Sequence, residues 1–330
     1  MVNEISFPGL FDHVFHVNEV AFTVFGKDIM WYGVIITFGF MAAVLYAMPR
    51  SGFFGWSEDD IIDGVIWCLP AAIIGARAYY VIFEWDYYRE HLGEIIRIWD
   101  GGLGIYGAII TTSITVYFFA KTHKRDMLGA FDMVCMGFLL AQGIGRWGNF
   151  VNAEAHGGVT GLPWGMVLNG RAPVHPTFLY ESIWDLAGFL FLHFYYKKSK
   201  FRGEVALMYL GWYGLGRVMI EGLRTDSLML GQIRVSQLLA GLLVVASLLV
   251  WITIRSRIKA YNDPEYLKCY GETEAFAEEY EAYTRLVKEK EAAKKAKKAS
   301  KTPVEEVPAE EPAAEAAAVS DEETEEKKEE

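Results

Sequence analysis

The chain has 330 residues, of which 52% are hydrophobic and 22% charged, with a formal net charge of −11. Roughly −10 of that charge falls in residues 261–330, so the body before them is close to neutral and the acidic balance describes a tail, not a site. Three scattered cysteines, Cys68, Cys135 and Cys269, exclude a disulfide framework and a cysteine metal motif, and read as small apolar residues.

Residues 1–30 lack a basic start, a compact apolar core and a small-residue cleavage site, so no cleavable signal is expected and the first apolar helix directs insertion. Apolar stretches then follow at 30–48, 61–83, 103–119, 127–144, 178–196, 204–221 and 236–254. Each is near the ~20 residues a helix needs to cross ~30 Å of hydrocarbon. Several carry Gly, Trp and Tyr as packed membrane helices with aromatic ends do. The predicted fold is an all-α polytopic integral membrane protein with about seven transmembrane helices, since a soluble bundle cannot hide that many apolar faces.

Lys121, Lys124 and Arg125 follow the third segment, Lys197, Lys198, Lys200 and Arg202 the fifth, and Arg255, Arg257 and Lys259 the seventh. The alternate loops are poorer in Lys and Arg, and the positive-inside bias then predicts an outside N-terminus and a cytoplasmic C-terminus. Residues 1–259 are expected to form a transmembrane catalytic domain and 260–330 a cytoplasmic, charged, low-complexity tail. Within that tail, 272–299 reads as intermittently helical and the remainder as disordered, because it has too few large apolar residues to offset its ordering entropy. A solvated tail is preferred there to a partner-docking one.

Arg77, Asp132, Arg146, Glu154, Glu181, Arg217 and Glu221 stand where charge is expensive, which points to a functional site. Glycine-punctuated Gly145-Arg146-Trp147-Gly148-Asn149-Phe150-Val151-Asn152-Ala153-Glu154 follows an apolar helix expected to end at Ile144. Arg217, Glu221 and Arg224 share one helix face, as an anion site or as a mutually neutralising ion pair. Glu181 and Asp185 have a like-charge spacing that requires a cation from another helix. Asp132 and Arg77 fit internal pairing as well as chemistry. His175-Pro176-Thr177 introduces the fifth helix; His175 and His156 make a poor metal pair, and no metal is expected. Four glycines in Gly101-Gly102-Leu103-Gly104-Ile105-Tyr106-Gly107 allow close backbone approach and leave Tyr106 projecting.

Together these elements resemble the bacterial prolipoprotein diacylglyceryl transferase family. The run from Gly145 through Ala155-His156-Gly157 looks like that family's signature. Gly75-Ala76-Arg77, Trp99-Asp100-Gly101-Gly102, His175-Pro176-Thr177-Phe178-Leu179-Tyr180-Glu181, and Tyr213-Gly214-Leu215-Gly216-Arg217 with Glu221 and Arg224 match its pattern in order. Two departures stand out: Tyr106 occupies a place where many members carry histidine, and the tail is longer than the family's usual ending.

The resemblance implies transfer of a diacylglyceryl group from phosphatidylglycerol to the lipobox cysteine of a prelipoprotein, at the outer leaflet of the bacterial cytoplasmic membrane. It implies Arg146, Arg217, Tyr106, Glu154 and Glu221 as catalytic, with Glu154 and Glu221 orienting the arginines. Arg146 again, with Asn149, Asn152, Gly157, Arg77, Tyr32, Tyr213, Arg224, His175, Tyr180 and Glu181, would bind substrate; Asp132 and Asp100 stay structural or unassigned. Arginine suits a leaving phosphate because its planar fork bonds phosphate oxygens and keeps its charge when buried. A tyrosine hydroxyl is a poor base at neutral pH, so Tyr106 is expected to position lipid or sulfur. No cofactor and no nucleic-acid partner are expected. A transporter would instead require paired discontinuous helices in an internal repeat, and another head-group transferase a dense carboxylate cluster for divalent metal.

Overall fold

The computed structural model describes residues 2–225, 229–231, 233–261 and 268–299. It opens with two β-hairpins, so the chain is mostly rather than wholly helical. β1 (Val2–Phe7) and β2 (Phe11–Asn18) pair antiparallel, and β5 (Val167–Leu168) adds to the free edge of β1. Alternate β1 side chains Asn3, Ile5 and Phe7 turn inward, the period-two pattern of a half-buried strand. Ile5 and Phe7 build a small core with Met166, Leu168 and Phe178. β3 (Val20–Val24) and β4 (Lys27–Met30) form the second hairpin, closed by Phe25 and Gly26 at φ 50° and 75°, the left-handed pair of a two-residue turn.

All seven apolar segments are helical. α1 (Trp31–Ala47) runs into a 3-10 turn ending at Phe54. α2 (Glu58–Phe83) starts with a capping box between Ser57 and Asp60, and is followed by short α3 (Trp85–Tyr88). α4 (Ile105–Thr122) leads to α5 (Met127–Val151), whose first amides are capped by the Asp126 carboxylate. α6 (Thr177–Tyr195), α7 (Glu204–Glu221), a small hairpin of β6 (Met229–Leu230) and β7 (Ile233–Arg234), and α8 (Val235–Ala260) complete the bundle. Among the described residues, Trp31–Phe54, Glu58–Phe83, Met127–Val151 and Val235–Ala260 are long and apolar enough to cross a membrane. Leu45, Ile66 and Leu249 remain 63%, 60% and 60% exposed on them, an outer surface that suits lipid rather than water.

The larger core, including Trp56, Phe119, Met133, Met136, Leu139, Leu192 and Val205, lies at one end of the bundle. Asp132 serves there as a remote cap: its carboxylate accepts the amides of Gly203 at 2.7 Å and Ala206 at 2.8 Å, satisfying the start of α7. That assigns Asp132 to packing.

The compact unit continues to Val287, past the boundary expected at 259. α9 (Glu274–Ala299) is one continuous helix, not an intermittent one, and its beginning is docked rather than solvated. Phe276 packs 5.1 Å from Phe53, while Arg202 bonds the Tyr270 hydroxyl at 2.7 Å and pairs with Glu279. Burial, with the hydrogen bond to Glu279, pushes the Tyr270 hydroxyl up to about 12 and keeps it neutral. The tail expected to be disordered lies, from residue 300 on, outside the described residues.

Candidate active site

α5 does not end at Ile144. It carries Arg146, Trp147 and Asn149 within its last two turns and stops at Val151, so the glycine-punctuated motif is the end of the helix and not a loop after it. Gly148 is required there: a methyl on it would come within 2.7 Å of the Tyr32 ring. Beyond Asn152 the chain reverses through Ala153 and Ala155, both left-handed at φ 49° and 53°. Such a conformation opposes an L side chain by about 1–2 kcal/mol per residue, and it brackets Glu154. The Glu154 Oε1 atom accepts both Asn149 Nδ2 at 3.1 Å and Asn152 Nδ2 at 3.2 Å. Glu154 therefore orients two amides; the expectation that it orients the arginines is corrected.

The carboxylate that gathers the arginines is Glu181, near the start of α6. It pairs with Arg146 of α5, lies 3.6 Å from Arg217 of α7 and bonds Arg224 at 3.3 Å. Glu221 adds a second acceptor, 2.6 Å from Arg217 and one turn along the same helix. These five side chains have a formal net charge of +1. The side chains of Glu181 and Glu221 are only 7% and 2% exposed, whereas Arg146 and Arg217 keep 23% and 20%. Donors face the open side and acceptors are buried behind them, an arrangement that can receive an anion. The like-charge neighbour Asp185, one turn deeper on α6, is also buried.

Gly157 joins the loop to this cluster. Its amide donates to His175 O at 2.9 Å, and Gly158 donates to Leu223 O at 2.9 Å. A methyl on Gly157 would approach His175 Cβ to 2.7 Å, so the backbone contact itself demands glycine. Thr177 Oγ1 adds a 2.5 Å bond to Ala155 O. Tyr180 accepts from Trp164 Nε1 at 2.8 Å and lies 3.4 Å from His175 Nδ1. Tyr213 stacks on Tyr209, one turn before Arg217.

Arg77 and Tyr106 are placed elsewhere. The Arg77 guanidinium, buried at the end of α2, donates to the carbonyls of Glu94, Ile95, Gly101 and Gly102 at 2.6–3.0 Å. It organises the loop that ends in the 3-10 turn Ile98–Asp100, and Gly101 and Gly102 take φ 89° and 70° beneath it. The expected substrate-binding Arg77 is thus fully engaged with backbone. Tyr106, in the first turn of α4, is 55% exposed with its ring 6.1 Å from Tyr79. Among the described residues no hydrogen bond or ion pair links Arg77 or Tyr106 to the arginine cluster.

An apolar cleft of about 470 Å³ opens beside Trp147, lined also by Trp31, Ile35, Phe38, Ile144 and Leu186 of α1, α5 and α6. Sequence reasoning missed this cleft and the remote capping by Asp132, since neither has a local signature. The three-way role of Glu181 had one: its like-charge spacing to Asp185.

Residues 19–253 match the family model for prolipoprotein diacylglyceryl transferase. Similar proteins include the phosphatidylglycerol–prolipoprotein diacylglyceryl transferase of Finegoldia magna, 47% identical over 73% of this chain and 98% of the relative. That of Clostridioides difficile is 43% identical over 74% and 98%, and that of Limosilactobacillus reuteri 45% identical over 73% and 92%.

Proposed function

The chain belongs to the prolipoprotein diacylglyceryl transferase family, and we propose that it transfers the sn-1,2-diacylglyceryl group of phosphatidylglycerol to the lipobox cysteine of prelipoproteins. The sulfur forms a thioether to the glyceryl carbon as the carbon–oxygen bond to phosphate breaks. Glycerol phosphate leaves with the bonding pair, and the thiol proton passes to solvent or to the leaving group.

The observation that carries this reading is the exposed edge of Arg146 and Arg217 over buried Glu181 and Glu221. Negative charge grows on the leaving phosphate, and fixed guanidinium donors in a low-dielectric site stabilise it by ~3–4 kcal/mol per well-placed donor. The carboxylates hold the forks in place before the reaction and limit the resting positive charge. A free thiol with pKa ~8.5 is only a few per cent ionised at neutral pH; the same positive field favours its thiolate. Asn149 and Asn152, oriented by Glu154, bond the head group or the peptide backbone. Tyr106 positions a substrate by hydrogen bonding.

Both substrates are membrane-borne, and the apolar cleft beside Trp147 suits lateral entry of an acyl chain with its head group directed to Arg146. Seven spans with the N-terminus outside and the C-terminus in the cytoplasm follow from the basic loops. That orientation puts the arginine cluster toward the outer leaflet of the bacterial inner membrane, where exported prelipoproteins emerge.

The test is an assay of detergent-purified protein with phosphatidylglycerol and a lipobox peptide. The expected result is a peptide mass gain of one diacylglyceryl unit with release of glycerol phosphate, absent with a Cys-to-Ser peptide and lost in Arg146→Ala. Folded, lipid-binding protein that transfers nothing would overturn the reading.

A further inference from the structure

The two helices that supply Glu181 and Arg217 are joined by a reciprocal tryptophan pair. Trp184 of α6 donates its indole N–H to the Trp212 carbonyl of α7 at 3.0 Å, and Trp212 donates to the Trp184 carbonyl at 3.0 Å. The rings stack with centroids 4.8 Å apart and planes at 27°. Phe191 of α6 covers the other side of Trp212, 5.5 Å away at 16°.

Both helices carry the same pattern, Trp-x-x-x-Gly: Trp184 with Gly188, and Trp212 with Gly216. In the antiparallel pair each indole lies over the glycine of the opposite helix. A methyl on Gly216 would come within 3.0 Å of Trp184 Cε2, and one on Gly188 within 2.9 Å of Trp212 Cε2, with the pyrrole edges closer still. Glycine is what lets the indole reach a helix carbonyl already engaged in the backbone ladder, and small residues are how membrane helices approach closely.

This pair sits next to the anion site. Trp184 follows Glu181 by three residues, a rise of ~4.5 Å, and Gly216 immediately precedes Arg217. A slip of one helical turn between α6 and α7 would shift Arg217 by ~5.4 Å relative to Glu181, enough to part them. Two directional hydrogen bonds exclude that slip, whereas apolar contacts alone would tolerate rotation and sliding.

We propose that Trp184 and Trp212 are positioning residues: their reciprocal lock sets the register of α6 against α7, and with it the geometry of Arg217 on Glu181. This rests on the transferase reading. The lock acts through Arg217, whose fork meets the charge that grows on the leaving phosphate, so its effect appears chiefly in the chemical step.

The experiment compares purified full-length parent, Trp184→Phe, Trp212→Phe and Gly216→Ala in the transfer assay, with thermal unfolding in the same detergent. The phenylalanine variants keep an aromatic ring and lose only the donor. Trp56→Phe is the stability control. Trp56 also stacks on an aromatic ring, Phe119, and also donates to a backbone carbonyl, that of Asp126 at 2.9 Å, but in the core remote from the arginines.

The expected result is a fall in kcat of roughly tenfold to a hundredfold in the three lock variants, with KM for phosphatidylglycerol changed by less than about twofold. Trp56→Phe retains the parental kcat at a similar loss of Tm. An active parent with lock variants at parental kcat overturns the lock, as does a kcat loss that Trp56→Phe reproduces. A parent without cysteine-dependent transfer overturns the transferase reading itself.

Discussion

Arg217 and Glu221, one turn apart on α7, form a 2.6 Å ion pair in which the carboxylate is almost wholly buried and the guanidinium keeps an open edge. The pair is asymmetric toward the site: the acid holds, and the base is presented. Arg217→Lys retains the charge but loses the planar fork, and kcat is expected to fall on the order of 10²-fold. Single-turnover transfer with saturating phosphatidylglycerol checks this; a lysine variant with parental rate would remove the fork from the mechanism.

Glu181 is shared by arginines from α5, α7 and the chain just beyond α7. Glu181→Gln removes the carboxylate charge those cations share and leaves Arg217 with Glu221 alone; breaking comparable buried pairs costs about 3–5 kcal/mol. The expected outcome is a lowered Tm together with loss of transfer. Glu154→Ala is expected to keep the Tm and lose activity, because it removes the acceptor that orients the amides of Asn149 and Asn152 at the surface of the site.

Tyr106→Phe separates positioning from proton transfer. Transfer is expected to persist within about tenfold of the parent, less than the 10²–10⁴-fold that loss of a general base produces. Complete loss of activity at unchanged lipid affinity would favour proton transfer through the hydroxyl.

Gly157→Ala introduces a methyl 2.7 Å from His175 Cβ and 3.0 Å from Leu223 O. Overpacking of this kind costs about 1–3 kcal/mol, and here it pushes the signature loop off the chain entering α6 and the chain leaving α7. Both Tm and kcat are expected to drop; a variant with parental values would show that the loop has room to move.

The docked segment after α8 lies beyond the residues that match the family model. Arg202→Ala removes its bonds to Tyr270 and Glu279, and truncation after Tyr261 removes the segment. Both are expected to lower Tm by a few degrees, as ~1 kcal/mol does in a chain of this size, with the transfer rate kept. Transfer lost together with the segment, at unchanged Tm, would place it in the catalytic machinery.

The apolar runs and the motif residues were legible in the sequence because both are local: a helix long enough for hydrocarbon, and an arginine or glycine too expensive to be accidental there. The hairpins of residues 2–30 left only a faint alternation, overshadowed by the apolar segments after them. Which carboxylate serves which arginine was decided by tertiary structure alone. Glu154 and Glu181 look equally suited on paper, but the left-handed turn at Ala153 and Ala155 commits one to amides, while the packing of α6 against both α5 and α7 brings the other to three guanidiniums. Arg77 and Asp132 show the same limit. Their charge announced a special environment, and only the fold revealed that it consists of backbone carbonyls for one and helix-start amides for the other. Sequence fixes the chemistry a residue can perform; the partner it meets depends on contacts between distant segments, whose closure no local pattern encodes.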